Sequence, residues 1–394
     1  MALFNLYDDE ASLDELNQLI ANQTCEKKTI DYKLTLELDD DEKKKEFLAD
    51  IVSFANTLGG LLIYGMEQEA GIPTKLIGIE YPGFDILKGQ IGSIIKDGIS
   101  PKLNTITVIH VKISEGKEVI IIKIPQSLTS PHLVCFKRYP KFFARNSSVG
   151  RYQLDISDIR SSIIASENFY DRFRNFRLER VSKLLNNQAP VLMNGNPKFV
   201  IHIIPFNSFN YAQQIDMSSE KWLDQFNSTE YNNYRKRHNF DGYLIHDPFD
   251  NNSPADHYIQ YFRNGEVEIV DTSCTTINQS NKLIYNNRFE DIIKSEIPMT
   301  VNSIFNFNIG LPIIVMLSVL TIKGYVIWVN SRRYFRTHGY PIDRDNLLIN
   351  EIIIQNIEEL SKAITYKPLF DPVWNACGIA GSLNYNSDGV WSTE

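Results

Sequence analysis

Residues 54–65 read Phe-Ala-Asn-Thr-Leu-Gly-Gly-Leu-Leu-Ile-Tyr-Gly, and this stretch decides the fold of the first part of the chain. It overlaps the end of Glu42–Thr57, where apolar residues recur with the period of a helix. Gly59 and Gly60 end this helix, because glycine readily adopts the positive φ of a helix C-cap. The apolar run up to Gly65 then predicts a short buried strand.

Three carboxylates flank this stretch. Thr29–Leu38 alternates like a strand and carries Asp31, Glu26 lies on the approach to it, and Glu67 follows the apolar strand. If the two strands pair, these acids converge and can bind Mg²⁺ or Mn²⁺ once phosphate oxygens and water complete the shell. Lys33, two residues after Asp31 on the same strand face, is placed to orient a nucleophile or to neutralise charge. The alternative interpretation is that these acids are solvated surface residues.

Charge is distributed unevenly along the chain. Residues 1–100 hold 9 Lys/Arg and 19 Asp/Glu, a net charge of −10, whereas residues 101–200 hold 16 and 7, a net charge of +9. The basic part includes a predicted hairpin, Leu133–Ser148, with its turn at Tyr139-Pro140 and aromatic residues between the basic ones. Basic groups follow phosphates and aromatic rings stack on unpaired bases. The candidate nucleic-acid-binding residues are Lys27, Lys28, Lys137, Arg138, Lys141 and Arg145. Alternatively, the charges are ordinary solvated faces and the aromatic rings belong to the core.

These residues together resemble the Schlafen-type Alba-like domain. That family carries Glu, four residues and Glu-Phe-Lys, then a helix ending in Phe-Ala-Asn-Thr-x-Gly-Gly, an apolar strand closing on Gly-Val-Asp-Asp, and a Tyr-x-Arg-x-x-Ser strand. This chain has Glu26 and Asp31-Tyr-Lys33, the intact Phe54–Gly60 motif, Gly65-Met-Glu67-Gln68, and Lys141-Phe-Phe-Ala-Arg145-Asn-Ser-Ser148.

The resemblance implies an activity as well as a fold. Nucleolytic members cleave tRNA and related structured RNA, and the acids matching Glu26, Asp31 and Glu67 form their catalytic triad. Here Asp31 replaces the usual Glu, and Glu67 replaces the usual Asp. The implied function is a metal-dependent endoribonuclease, using Mg or Mn, in antiphage defence or stress response. The altered acids favour an alternative, a non-catalytic nucleic-acid-binding regulatory module. A third, ATP binding at Gly59-Gly60, lacks any accompanying phosphate-loop motif.

The length of 394 residues exceeds what one hydrophobic core usually supports, so two domains are expected. We predict an α+β protein with an N-terminal helix (1–24), a Schlafen/Alba-like mixed sheet with helices (25–160), a helical linker (161–190) and a second mixed α/β domain of unknown role (191–394). Within the last, Phe199–Pro205 is predicted as a strand, Tyr258–Asp271 as a hairpin and 345–366 as a helix.

Several features predict a cytoplasmic protein without a membrane partner. The four cysteines are far apart and form no C-x-x-C pair, which is typical of a reducing compartment. Met1–Ile20 lacks the basic region of a signal peptide. Ile309–Leu320 is apolar but too short to span a bilayer, so we expect a buried core segment. We also expect a homo-oligomer.

Overall fold

The computed structural model describes residues 11–392 except for 104–105, 128, 147–149, 196, 210–213, 227–232, 248–252, 279–280, 308, 310, 329–338, 356 and 387–388. The chain divides into two compact units, Met1–Arg172 (unit 1) and Phe173–Glu394 (unit 2). The boundary falls inside a 30-residue helix, α4 (Ile156–Leu185), within the segment predicted as a helical linker. Ser148 of the family-like strand motif lies outside the described residues.

Unit 1 combines helices with short strands. Its other helices are α1 (Leu13–Ala21), α2 (Asp41–Ala55) and α3 (Phe84–Gly98). Its strands are β1 (Ile30–Lys33), β2 (Gly60–Tyr64), β3 (Met66–Glu69), β4 (Ile72–Leu76), β5 (Ile99–Ser100), β6 (Thr107–Ser114), β7 (Lys117–Ile124), β8 (Leu133–Val134), β9 (Lys141–Asn146) and β10 (Gly150–Gln153).

The central sheet of unit 1 has the strand order β1-β2-β7-β6, with β1 and β2 parallel and the other neighbours antiparallel. One face of it packs on α2 and α3 through residues such as Leu62 and Tyr64. Leu16 and Leu19 of α1 pack with Leu61 and Ile63, so the predicted N-terminal helix belongs to this unit. A second sheet, β10-β9-β8-β5, contains the hairpin predicted over 133–148. Unit 1 is therefore α+β, as expected.

The glycine turn after α2 is a helix C-cap, as the sequence predicts. The N–H of Gly59 donates to the carbonyl of Phe54 at 2.9 Å, and Gly59 has a φ of +69°. A Cβ at Gly59 would lie 2.6 Å from the carbonyl oxygen of Ile124 and from the backbone nitrogen of Gln126. Only glycine suits this position, because both the backbone conformation and the space require it.

Unit 2 is built around a large antiparallel sheet. Its remaining helices are α5 (Glu220–Asp224), α6 (Arg288–Phe305), α7 (Ile357–Ser361) and α8 (Lys367–Ala376). Its strands are β11 (Lys198–Pro205), β12 (Arg235–His238), β13 (Gly242–His246), β14 (His257–Phe262), β15 (Val267–Asp271), β16 (Thr275–Asn278), β17 (Asn281–Tyr285), β18 (Ile313–Leu320), β19 (Val326–Trp328), β20 (Asn346–Leu348) and β21 (Ile352–Ile354).

The strand order of the large sheet is β12-β13-β14-β15-β11-β18-β20, and β21 also pairs with β18. The predicted strand at β11 and the predicted hairpin formed by β14 and β15 are both confirmed. Every residue of β18 is buried, which confirms that the apolar segment around 309–320 is core. Within the described residues, no helix is long and apolar enough to cross a membrane.

The helix predicted over 345–366 is wrong. This part of the chain forms β20 and β21, which pair with the ends of β18, and only then the short helix α7. β21 consists of three isoleucines, whose branched Cβ atoms favour an extended backbone when a neighbouring strand is available. The tertiary partner, β18, therefore overrides the local periodicity.

Two buried carboxylates organise unit 2. Glu290 on α6 accepts hydrogen bonds from the indole nitrogens of Trp374 and Trp391 and from the side chains of Ser382 and Asn384. These bonds attach the C-terminal segment to α6. Glu268 on β15 forms a bidentate pair with Arg180, at 2.7 and 2.9 Å, and also contacts His202 and Tyr258.

Candidate nucleic-acid site

The candidate site of unit 1 lies where β1 faces α2. Asp31 and Lys33 are aligned with Leu62 and Tyr64 of β2, and aligned residues of parallel strands point to the same face. That face packs on α2. Both predicted residues therefore point towards the helix, into a region closed by β9 and β10.

Asp31 is held by a cation from β9. The Nη1 of Arg145 donates to Oδ2 of Asp31 at 3.0 Å, and the side chain of Arg145 is only 5% exposed. The guanidinium also lies 4.2 Å from the centre of the Phe54 ring, a cation–π contact. The backbone N–H of Arg145 donates to the hydroxyl of Thr57. Arg145, predicted to contact nucleic acid at the surface, is instead an internal counter-ion, because burial of Asp31 requires one.

A second carboxylate that the sequence did not single out completes this cluster. Asp50, on the buried face of α2, accepts a hydrogen bond from Arg151 at 2.8 Å. The Nζ of Lys33 lies 3.7 Å from Asp31 and 3.7 Å from Asp50. Burial raises the pKa of Asp50, although Lys33 and Arg151 oppose this. We call Asp31, Lys33, Asp50, Arg145 and Arg151 the ionic cluster.

Glu26 adjoins the ionic cluster. Its Oε1 accepts a hydrogen bond from the backbone N–H of Tyr32 at 3.0 Å. Burial and then a hydrogen bond with the carboxyl group of Asp31 raise the pKa of Glu26, while the Tyr32 N–H and Lys33 lower it. Two of the three predicted acids are therefore brought together.

Glu67, the third predicted acid, lies outside this group. It is exposed on β3, opposite Lys75 of β4, in a separate two-stranded sheet. Gly65, with a φ of +90°, redirects the chain between β2 and β3. Among the described residues, no group of three or more His, Cys, Asp or Glu side chains is placed to hold a metal ion. The expected convergence of three carboxylates is thus reduced to a pair.

The predicted basic residues form a surface at the turn before β9. Lys137 and Arg138 are exposed and both have positive φ, +46° and +61°, in a 3-10 turn. The Nζ of Lys141 lies 4.7 Å from the centre of the Tyr139 ring, and the Nζ of Lys45 on α2 lies 5.3 Å from it. We call Lys45, Lys137, Arg138, Tyr139 and Lys141 the basic turn.

Two acids reduce the charge of the basic turn. Lys137 pairs with Asp41, and Lys45 pairs with Glu42 at 2.6 Å. Lys27, which is exposed, and Lys28, which is half-buried, lie apart from it in the segment before β1. The sequence identified the hairpin residues but not Lys45, because its approach to Tyr139 depends on the packing of α2 against the hairpin.

One family model matches a part of unit 1. Residues 26–151 match the family model described as Schlafen, AlbA_2. This part of the chain is similar to the Schlafen AlbA_2 family, and we call it the AlbA_2 domain. The match contains the ionic cluster, the basic turn, Glu26 and Glu67, and it links the AlbA_2 domain to a function connected with nucleic acid.

Two solved structures are each similar to about a third of the chain. The DIP2311 protein of Corynebacterium diphtheriae is 18% identical, with a TM-score of 0.25, over 36% of this chain and 26% of that chain. The N-terminal domain of a RecG-related protein of Nitrosomonas europaea, described as an ATP-dependent DNA helicase relative, is 19% identical, with a TM-score of 0.26, over 35% of this chain and 94% of that domain. No curated protein matches the sequence.

Proposed function

We propose that the AlbA_2 domain binds RNA through the basic turn. The observation that carries this proposal is Tyr139, whose ring has a lysine on each of two neighbouring elements, Lys45 and Lys141. An aromatic ring beside ammonium groups offers a base a stacking surface and its phosphates a counter-charge. Lys137 and Arg138 extend the same surface, since their turn projects them into solvent.

The test is RNA binding by fluorescence anisotropy with the full chain, at two salt concentrations. Replacing both Lys137 and Arg138 by Gln removes two phosphate contacts, so we expect weaker binding and a salt dependence that is less steep by about two. Lys117→Gln, an exposed lysine at the β6–β7 turn, is the matched control and leaves binding unchanged. Equal binding by the double variant and the wild type would place the RNA surface elsewhere.

A second candidate function, a metal-dependent endoribonuclease, is favoured by the Glu26–Asp31 pair. Neighbouring carboxyl groups can hold a divalent cation between them, and the Nζ of Lys33 lies 3.7 Å from Asp31. Glu26 and Asp31 would hold Mg²⁺ or Mn²⁺ only together with phosphate oxygens and water, because two carboxylates do not complete a shell. Such an ion activates water and neutralises charge on the phosphate. The hydrogen bond from Nη1 of Arg145 to Oδ2 of Asp31 would keep this carboxylate oriented while it holds the ion.

Cleavage is tested by incubating the full chain with total tRNA and Mn²⁺ or Mg²⁺. Glu26→Gln is the diagnostic variant, because Glu26 lacks the buried counter-ion of Asp31 and its loss disturbs the fold least. A nuclease gives discrete fragments that disappear with Glu26→Gln. Loss of fragments with Glu67→Gln as well would show that Glu67 joins the pair when RNA and metal bind. Intact tRNA with retained binding would leave the binding module as the function. The tRNA substrate, the role in phage defence and the homo-oligomer stay predictions.

A further inference from the structure

Unit 2 contains a basic pocket of about 580 Å³ beside β12, an edge strand of its large sheet. Its volume is in the range of small-molecule sites. Arg235, Arg237 and His246 line it, together with one acid, Asp247. The Oδ1 of Asp247 accepts hydrogen bonds from two backbone N–H groups where β14 begins, at 3.0 and 2.7 Å, so this acid is engaged in holding the chain. The charge that a ligand meets in the pocket is therefore positive.

The strand pairing puts the three basic side chains on one face of the sheet. Arg235 of β12 lies directly opposite His246 of β13, and the two members of such a pair point to the same side. Arg237 points there as well, because it is two residues further along the strand. Lys236, between the two arginines, points to the other face, where its Nζ donates to the carbonyl of Phe226. The register of one strand pair thus brings two guanidinium groups and an imidazole together.

Residues 190–192 form an apolar wall of this pocket. The Nη2 of Arg237 donates to the carbonyl of Pro190 at 3.1 Å, and the backbone N–H of Ala255 donates to the carbonyl of Leu192 at 2.7 Å. The wall is therefore fixed to the sheet by hydrogen bonds. Leu192 is 72% exposed, so its side chain is available to a ligand. Sites for organic molecules combine apolar contacts of this kind with a few polar groups that fix orientation.

Two of the basic groups have polar atoms left for a ligand. Among the described residues, the guanidinium of Arg235 forms no ion pair and no hydrogen bond. His246 is only 8% exposed, and its Nδ1 donates to the carbonyl of Asp247 at 3.2 Å, which leaves Nε2 for the pocket. Burial lowers the pKa of His246 and the charges of Arg237 and Arg235 lower it further, although the carbonyl of Asp247 opposes this. A bound anion would relieve this repulsion between basic groups.

The chemistry of these groups matches a phosphate group with an organic part. Guanidinium groups bind phosphate through paired N–H donors. An imidazole held through Nδ1 donates from Nε2 once it is protonated, and a neighbouring anion favours that state. We propose that this pocket of unit 2 binds a small organic phosphate, with Arg235 and His246 on the phosphate group and residues 190–192 on the organic part. The site shares no residue with the RNA-binding surface proposed for unit 1.

The proposal is tested by isothermal titration calorimetry of the full chain with AMP, adenosine and inorganic phosphate at matched ionic strength. AMP is the probe because it joins a phosphate group to a flat organic ring. We expect saturable one-to-one binding of AMP, at least tenfold weaker binding of inorganic phosphate, and no binding heat from adenosine. Arg235→Gln removes the unpaired guanidinium and weakens AMP binding at least tenfold. Leu192→Asp, at an exposed position, places a carboxylate in the pocket wall and abolishes it.

Arg344→Gln is the matched control, because Arg344 is an exposed arginine of unit 2 outside the lining and its loss changes the net charge equally. This variant binds AMP like the wild type. All four tryptophans lie in unit 2, so their emission reports whether each variant is folded.

The proposal is overturned if AMP gives no saturable heat, if adenosine or inorganic phosphate binds as tightly as AMP, or if folded Arg235→Gln and Leu192→Asp keep wild-type affinity. RNA binding that is weakened by Arg235→Gln, in a chain that does not bind AMP, would also overturn it and make β12 part of the RNA surface.

Discussion

Asp31 on β1 and Arg145 on β9 form an ion pair that is closed to solvent, although 114 positions separate them in sequence. Their side chains are 9% and 5% exposed, and the Oδ2–Nη1 distance is 3.0 Å. Such a pair connects the central sheet of the AlbA_2 domain to the second sheet. Arg145 lies on the strand that matches the Tyr-x-Arg-x-x-Ser pattern of the family. Its guanidinium therefore holds the carboxylate of Asp31 in position.

Removing the cation of this pair is expected to destabilise unit 1. Arg145→Met leaves Asp31 buried without its counter-ion, which lowers the free energy of unfolding by about 3–5 kcal/mol. Differential scanning calorimetry of the full chain measures this as a lower transition temperature for unit 1. Lys33→Met is the control, because Lys33 is 40% exposed and 3.7 Å from either acid. Its cost is about 1 kcal/mol or less. Equal losses in both variants would contradict the assigned role of Arg145.

The effect of a substitution at the glycine turn after α2 has two sources, the strain of a positive φ and the clash of a Cβ with neighbouring backbone atoms. Gly59 and Gly116 both have positive φ, +69° and +73°, but only Gly59 is approached closely by other backbone atoms. Gly116→Ala is therefore expected to cost only the left-handed backbone strain, about 1–2 kcal/mol. Gly59→Ala adds the clash with Ile124 and Gln126 and should be clearly more destabilising. Urea unfolding followed by circular dichroism compares the two, and equal costs would refute the close approach.

Glu266, at the turn between β14 and β15, is expected to make the free energy of unfolding of unit 2 depend on pH. Burial raises its pKa from 4.5 to about 7, so the folded protein binds a proton more tightly than the unfolded chain. The resulting stabilisation is complete below pH 4.5 and is lost as the pH rises to 7. It amounts to about 3 kcal/mol. Urea unfolding followed by tryptophan emission, at pH 5 and pH 8, should show this loss in the wild type relative to Glu266→Gln. A constant difference between the two proteins would mean that Glu266 titrates normally.

Glu290 is expected to be the main attachment of the C-terminal segment. Glu290→Ala removes the acceptor of four hydrogen bonds and leaves two indole N–H groups without it, which costs at least about 3 kcal/mol. The emission of Trp391 should shift to longer wavelength as this residue becomes hydrated. Glu358→Ala, which removes only an exposed pair with Lys362, should cost about 0.5 kcal/mol or less. A blue emission maximum in Glu290→Ala would show that other contacts hold the segment.

Local patterns in the sequence predicted the elements that depend on local interactions. The period of α2, the glycines after it and the hairpin of β14 and β15 are properties of neighbouring residues, and all three are confirmed. The prediction of a helix over 345–366 is wrong because the strands of this segment form only beside β18.

The sequence predicts only part of the ionic cluster, because contacts between residues distant in sequence leave no local pattern. Glu26 and Asp31 are five positions apart, so their proximity follows from one short segment of chain, whereas Asp50 and Arg151 are 101 positions apart. One signal for Asp50 was present: it lies three residues after Phe47 and four before Phe54, on the apolar face of the helix. An acid at such a position requires a buried partner.

The two edge strands of the large sheet in unit 2 affect how the protein associates with other copies of itself. At one end, β12 presents Arg235, Lys236, Arg237 and His238, and at the other, β20 is only three residues long. A row of like charges repels an identical strand, and a short strand offers it few hydrogen bonds. Among the described residues, both edge strands of this sheet therefore disfavour the addition of a further strand.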